Sequence, residues 1–104
     1  MTSHCVVFIT ATDSKEADRL SEILVEQKLA ACVNIVPKIF SRYWWKGKIE
    51  NSPETLLLVK TKRSLLPKLI KKVKAVHSYS VPEVIALPIL TGNPDYLRWM
   101  DNSI

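Results

Sequence analysis

Cys32, His77 and Glu83 are the soft or titratable side chains that fall in or beside apolar stretches near expected strand ends. A thiolate with an imidazole suits a soft or borderline ion such as copper or zinc, and an added carboxylate suits zinc better. Each residue taken singly has a plainer reading. A lone buried cysteine is more often a small hydrophobe than a ligand, and a histidine at a helix end can simply favour the helix dipole. The run His77-Ser78-Tyr79-Ser80-Val81-Pro82-Glu83 says more as a cluster, because a polar loop between two apolar elements gathers donors and acceptors at one sheet edge. No glycine-rich phosphate loop is present, and no serine or cysteine has an identifiable base beside it.

These groups must be held by strands and helices that the apolar pattern reveals. Cys5-Val6-Val7-Phe8-Ile9 is a continuous apolar run suited to a central strand buried on both faces. Asp13 followed by Glu16 makes a capping-box-like start, and Ala17, Leu20, Ile23 and Leu24 recur at helical spacing, predicting a helix to about Lys28. A second helix starts at Ser64 as its cap, tolerates Pro67 in its first turn, and ends near Val76 or His77. Val84 to Leu90 reads as a strand, and its Pro88 assigns it to an edge. Asn93-Pro94 opens a short last helix.

Between the first two helices lies the longest element. Ala31 to Trp45 reads as one strand, with Val33, Ile35, Ile39, Tyr43 and Trp45 apolar on one face and Asn34, Lys38 and Arg42 on the other. Lys46-Gly47 then forms a two-residue hairpin turn. The return arm passes through Asn51-Ser52-Pro53, an expected bulge or irregularity, into the continuously apolar Thr55–Val59. Pro37 is likewise expected to bend or bulge the outgoing arm, the alternative being two shorter strands broken there. Fifteen residues would run about 50 Å, whereas a compact chain of 104 residues has a diameter of roughly 33 Å. Part of the ribbon should overhang its own core, exposing Tyr43, Trp44 and Trp45 unless another chain covers them. The order β-α-β-β-α-β with an added C-terminal helix is an α+β, ferredoxin-like arrangement, with strands one and three central and both crossover helices on one face. The opposite face is left bare and apolar, a second reason to expect subunits packing sheet against sheet.

Composition fits one ordinary domain over residues 1–104, at 47% hydrophobic and 24% charged, with no low-complexity stretch. No run of eighteen apolar residues exists, and Met1-Thr2-Ser3-His4 lacks a secretory pattern, so a cytoplasmic protein without a membrane partner is expected. Cys5 and Cys32 make no C-x-x-C pair, and both thiols should be reduced. The net charge of +5 concentrates between Glu54 and Glu83, where Lys60, Lys62, Arg63, Lys68, Lys71, Lys72 and Lys74 meet no acid. Four of these lysines form the wet side of the second helix, and no aromatics interleave the cations, so a nucleic-acid partner is not expected.

Several blocks together resemble the CutA divalent-cation tolerance proteins: Ala30-Ala31-Cys32-Val33-Asn34-Ile35, Tyr43-x-Trp45-x-Gly47-x-Ile49-Glu50, Lys60-Thr61, His77 with Tyr79 and Pro82-Glu83, and Tyr96-Leu97-x-Trp99. The resemblance implies a ferredoxin-like subunit assembled into a homotrimer similar to the PII signalling proteins, with the hairpin reaching across neighbours. It implies no enzyme activity and a link to copper and other divalent cations. Cys32 lies in a matching block, with His77 and Glu83 as further metal ligands, Tyr43, Trp44 and Trp45 at the trimer interface, and no organic cofactor. An alternative reading is a PII-like module binding a small anionic ligand in an inter-subunit cleft through Lys60 and Tyr79. The chain departs from the family pattern at Ser78 and Ser80, where His-Pro-Tyr-Glu is usual, and at Thr12, where a proline commonly stands.

Overall fold

The computed structural model describes residues 3–104, so the reading of Met1 and Thr2 lies outside the described residues. The elements follow the expected order: β1 (His4–Ala11), α1 (Ser14–Glu26), β2 (Cys32–Trp45), β3 (Lys48–Lys62), α2 (Leu66–Val76), β4 (Val84–Pro88) and α3 (Pro94–Ser103). The four strands form one antiparallel sheet in the order β2-β3-β1-β4, which puts the two continuously apolar strands in the centre and Pro88 on an edge. Val7, Ile9, Leu57 and Val59 of the central strands meet Leu20 and Leu24 of α1 and Leu69 and Val73 of α2, all fully buried, and this layer is the core.

Local chemistry sets the element ends. Asp13 caps α1, its carboxylate accepting from the Glu16 N–H at 2.8 Å. At the other end, Lys28 takes φ 57° and the Leu29 N–H returns to the Leu24 carbonyl, a Schellman-type stop that ends the helix two residues before Lys28. Ser64 is not the cap of the second helix. It lies inside a 3-10 turn, Arg63–Leu65, and α2 starts with no side-chain cap, its Pro67 sitting in the first turn.

The hairpin is a single ribbon with one irregularity. Lys46 and Gly47 both have positive φ (52° and 79°), as a primed two-residue turn requires. Pairing runs unbroken through Asn51-Ser52-Pro53, correcting the expectation of a bulge there. Pro53 lies beyond Thr55, where β3 no longer borders β1, so a missing N–H can face outward without breaking a ladder. The shift falls between Val36 and Ile39, at the bend or bulge expected of Pro37: there Pro37 and Lys38 oppose the single residue Thr55 and Lys38 takes φ 59°. Because successive side chains alternate, one extra residue exchanges the faces. Val33 and Ile35 share the helix-side face with their partners Val59 and Leu57, whereas Ile39, Tyr43 and Trp45 share the open face with Glu54, Glu50 and Lys48. The single apolar face read across the whole strand is therefore two half-faces.

Beyond Thr55 seven paired residues, about 23 Å of ribbon, extend past the rest of the sheet. The principal extents are 44 × 26 × 24 Å, in line with the predicted overhang. Phe40 and Trp44 on the ribbon's helix-side face are 86% and 72% exposed, leaving a large apolar surface uncovered in the single subunit. The open face separately exposes Val36, Ile85 and Leu87 beside Tyr43 and Trp45. It is not wholly bare. At the end away from the ribbon α3 lies over it, where His4 Nε2 meets Asp101 at 2.8 Å and the Lys62 ammonium donates to the Ile104 carbonyl at 2.9 Å. Among the described residues no helix is long and apolar enough to cross a membrane.

Thr61 fastens the α1–β2 connection to the sheet. Its side chain is fully buried and its hydroxyl donates to the Leu29 carbonyl at 2.7 Å. Thr61→Val keeps the shape and strands that carbonyl, so urea denaturation should show a loss of about 1–3 kcal/mol.

Candidate functional site

The polar loop between α2 and β4 is anchored by a buried network. His77 caps the end of α2, its side chain wholly buried. Its Nε2 lies 2.7 Å from the Thr10 carbonyl, while the Tyr79 N–H donates to Nδ1 at 3.0 Å. The tautomer protonated at Nε2 satisfies both contacts, which leaves neither nitrogen free for a metal. Glu16, also buried, accepts from the Thr12 N–H at 3.0 Å and the Ser78 N–H at 2.8 Å, tying the start of α1 to the loop. Burial alone would push the Glu16 carboxyl up, but the Thr12 N–H with the side chain and N–H of Ser78 outweigh it and hold it below the usual range.

Past this anchor the loop turns onto the open face. Tyr79 donates its hydroxyl to Glu54 Oε2 at 2.7 Å, and burial followed by the Glu54 carboxylate pushes the phenol up to about 12. Glu83 stands just before Val84, the partner of Ile9. Partial burial and then the charge of Glu54 raise its carboxyl. Tyr43, Trp45, Glu54, Tyr79 and Glu83 line one cleft of about 600 Å³ between the root of the ribbon and the loop. The site is thus acidic and aromatic.

The expected residues do not all converge in one subunit. His77, Tyr79 and Glu83 gather around the C-terminal end of β1, and the ribbon brings Tyr43 and Trp45 there, with Trp44 on the opposite face. Cys32 lies elsewhere. It pairs with Lys60, and Lys60 pairs with Val6, four residues along the sheet from Thr10 and roughly 13 Å away. Lys60 is similarly six residues, or about 20 Å, from Glu54 and hence from the Tyr79 hydroxyl. Among the described residues no three His, Cys, Asp or Glu side chains form a metal-sized cluster. Cys32 is half-buried, a free thiol with Asn34 Oδ1 at 4.0 Å. Tyr96 of α3 lies against it, its phenol raised by burial and then by the Cys32 charge and hydrogen bond.

Glu16, Glu54 and Thr10 complete the network, and none of them is a site candidate on sequence grounds. Glu16 had a sufficient explanation as a capping residue, and Glu54 sat next to a strand whose open face carried no motif. The only available signal for Glu16 was its i, i+3 spacing from Asp13.

Fold and site define a ferredoxin-like α+β subunit with an overhanging aromatic ribbon and an acidic cleft at its root. The family of CutA1 divalent ion tolerance proteins matches residues 5–103. A rice relative, the chloroplastic protein CutA 1, is 53% identical over 98 residues, covering 94% of this chain and 55% of its own length. The divalent-cation tolerance protein CutA of Thermus thermophilus is 50% identical over 95 residues, covering 91% of this chain and 92% of its own. The crystal structure of CutA1 from Oryza sativa superposes with a TM-score of 0.95 at 51% identity, covering 98% of this chain and 94% of that one. The chain belongs to the CutA1 family. It spans about half the length of the rice, mouse and Arabidopsis relatives.

Because the Glu16 carboxyl is depressed in the folded state, its stabilisation is present above the unfolded value of about 4.3. It is lost as pH falls through the lower folded value. Glu16→Gln, which offers only one acceptor oxygen to two N–H donors, should cost about 2 kcal/mol at neutral pH. Urea midpoints of parent and variant should converge as the pH drops below that of the unfolded carboxyl.

Proposed function

We propose that this chain is a homotrimeric divalent-cation tolerance protein that binds copper or another divalent ion through Cys32, without catalysing a reaction. The observation that carries the metal reading is the free, half-exposed thiol of Cys32 on an edge strand, in a chain whose family is named for divalent ion tolerance. A thiolate anchors copper or zinc well but does not hold either alone. Cys32 and Glu83 lie at opposite ends of the sheet, so a shared ion would sit between one subunit's Cys32 and its neighbour's Glu83. His77 would join only by giving up its bonds to Thr10 and Tyr79. Two unpaired thiols, Cys5 and Cys32, support a reducing compartment such as the cytoplasm, although relatives include a chloroplastic protein and a periplasmic one from Archaeoglobus fulgidus. An anionic ligand held by Lys60 and Tyr79 lacks support, because the two are far apart in the subunit and the cleft beside Tyr79 carries two carboxylates.

The trimer is supported by the overhanging ribbon and the half-exposed apolar face. Light scattering after gel filtration should give three times the subunit mass of 11.8 kDa. A monomer would refute the argument from exposed surface. Trp45→Ala should cost about 2 kcal/mol or more in assembly and lower the melting temperature.

Zinc, which brings no redox chemistry, should bind the parent and lose at least about tenfold in affinity in Cys32→Ala by calorimetry. Ligation needs the thiolate, so affinity should fall as pH falls. Equal affinity in Cys32→Ala would remove the thiolate site.

A further inference from the structure

The cleft at the root of the ribbon holds negative charge that the subunit does not balance. Glu54 is only 7% exposed, yet no Lys, Arg or His lies within 4 Å of its carboxylate among the described residues. One of its oxygens, Oε2, accepts from Tyr79; Oε1 has no hydrogen-bond partner among the described residues. Among the described residues no buried side-chain oxygen or nitrogen is sealed away unsatisfied, so Oε1 keeps access to solvent, and the cleft is the space that Glu54 lines. Glu83 faces the same space and feels the Glu54 charge. A carboxylate held by one hydrogen bond, with its second oxygen unpaired and no counter-charge within the subunit, is an acceptor for a cation from outside.

The shape of the cleft selects the kind of cation. A volume of about 600 Å³ falls in the range of sites for small organic molecules and far exceeds a bare ion. Among the described residues no third His, Cys, Asp or Glu side chain joins the Glu54 and Glu83 carboxylates to hold a metal. Tyr43 and Trp45 wall the cleft, and aromatic faces attract ammonium groups. The Trp45 ring already attracts one, with Lys46 Nζ 5.9 Å from its centroid. Arg42 also lines the cleft, but its Nε donates to Asn51 at 2.7 Å, and its register position is on the ribbon's other face. Oε1 needs an N–H donor, which a primary ammonium has and a quaternary one lacks.

We propose that this cleft binds the primary ammonium of a small organic amine, with Glu54 Oε1 as acceptor, Glu83 as the second negative charge and Tyr43 and Trp45 as its aromatic wall. This site goes beyond the metal reading: it shares Glu83 with it but not Cys32, so the two fail separately. Putrescine, with one ammonium for each carboxylate, is the probe, titrated into the assembled full chain. The indole N–H resonance of Trp45 and calorimetry should both report saturable binding at physiological salt. Succinate, of similar length and opposite charge, should not bind, and tetramethylammonium should bind at least about tenfold more weakly. Glu54→Gln and, as a more exposed second variant, Glu83→Gln should each weaken putrescine by about tenfold or more, while Cys32→Ala leaves it unchanged. Absence of saturation in the parent at millimolar putrescine overturns the proposal. So does unaltered affinity in both glutamate variants. A Glu54→Gln variant that changes the subunit count while the parent binds no amine would mean that a neighbouring subunit's cation neutralises Glu54 instead.

Discussion

The extra residue at Pro37-Lys38 decides where every aromatic side chain of the ribbon goes. Without it, alternation would carry the face of Val33 and Ile35 straight out to Tyr43 and Trp45, on the side that the helices occupy near the core. With it, Tyr43 and Trp45 turn to the open face, where Glu54 and Tyr79 meet them, and Phe40 and Trp44 turn to the other. Both faces of the overhang therefore carry aromatics. Large exposed aromatics on both faces of an overhang are the kind of surface that neighbours on both sides would cover. The strain of a lysine at φ 59°, a position that favours glycine or asparagine, is the local cost of this arrangement.

A second constraint holds the loop that closes the cleft. Glu16 has two carboxylate oxygens, and each receives a backbone N–H, one from Thr12 and one from Ser78. These are two of the positions at which the chain departs from the pattern of the family it resembles, where a proline is usual. Proline has no N–H. A chain with prolines there could not make either bond, so the two departures act together: they supply the donors that allow a buried glutamate to stay ionised. The loop loses the rigidity of a proline at residue 78 and regains order through hydrogen bonds to a charged acceptor.

Much of this was legible because it is written in local chemistry. Continuous apolar runs marked Cys5–Ile9 and Thr55–Val59 as central strands, Pro88 marked an edge, and Asn93-Pro94 opened a helix where expected. What failed was parity and partnership. A bulge leaves no sequence signature beyond a proline, and Pro37 and Pro53 looked equally able to make one; only the absence of β1 beyond Thr55 frees Pro53 to pair in register. The residue types mark the loop as a polar cluster, and they present His77 as a group available for chemistry. Its two nitrogens are consumed by the Thr10 carbonyl and the Tyr79 N–H, one of them 67 residues away in sequence, and no local pattern foretells that.

The distribution of charge along the sheet bears on how copies can meet. One end of the open face presents Lys60 beside Cys32, and the other presents Glu54 and Glu83 beside the aromatic ribbon. A two-fold interface brings like surfaces together at its axis, so centring it on the ribbon root would set the carboxylates of one copy near those of the other. That repulsion acts in a partly desolvated cleft, where it is poorly screened. A head-to-tail contact instead brings the Cys32 end of one subunit toward the Glu83 side of the next, and repeated contacts of this kind form a ring where their rotation closes. Three copies make the smallest ring in which every contact is of this kind. The same polarity that separates Cys32 from Glu83 within a subunit thus favours the cyclic arrangement in which a neighbour could bring them together.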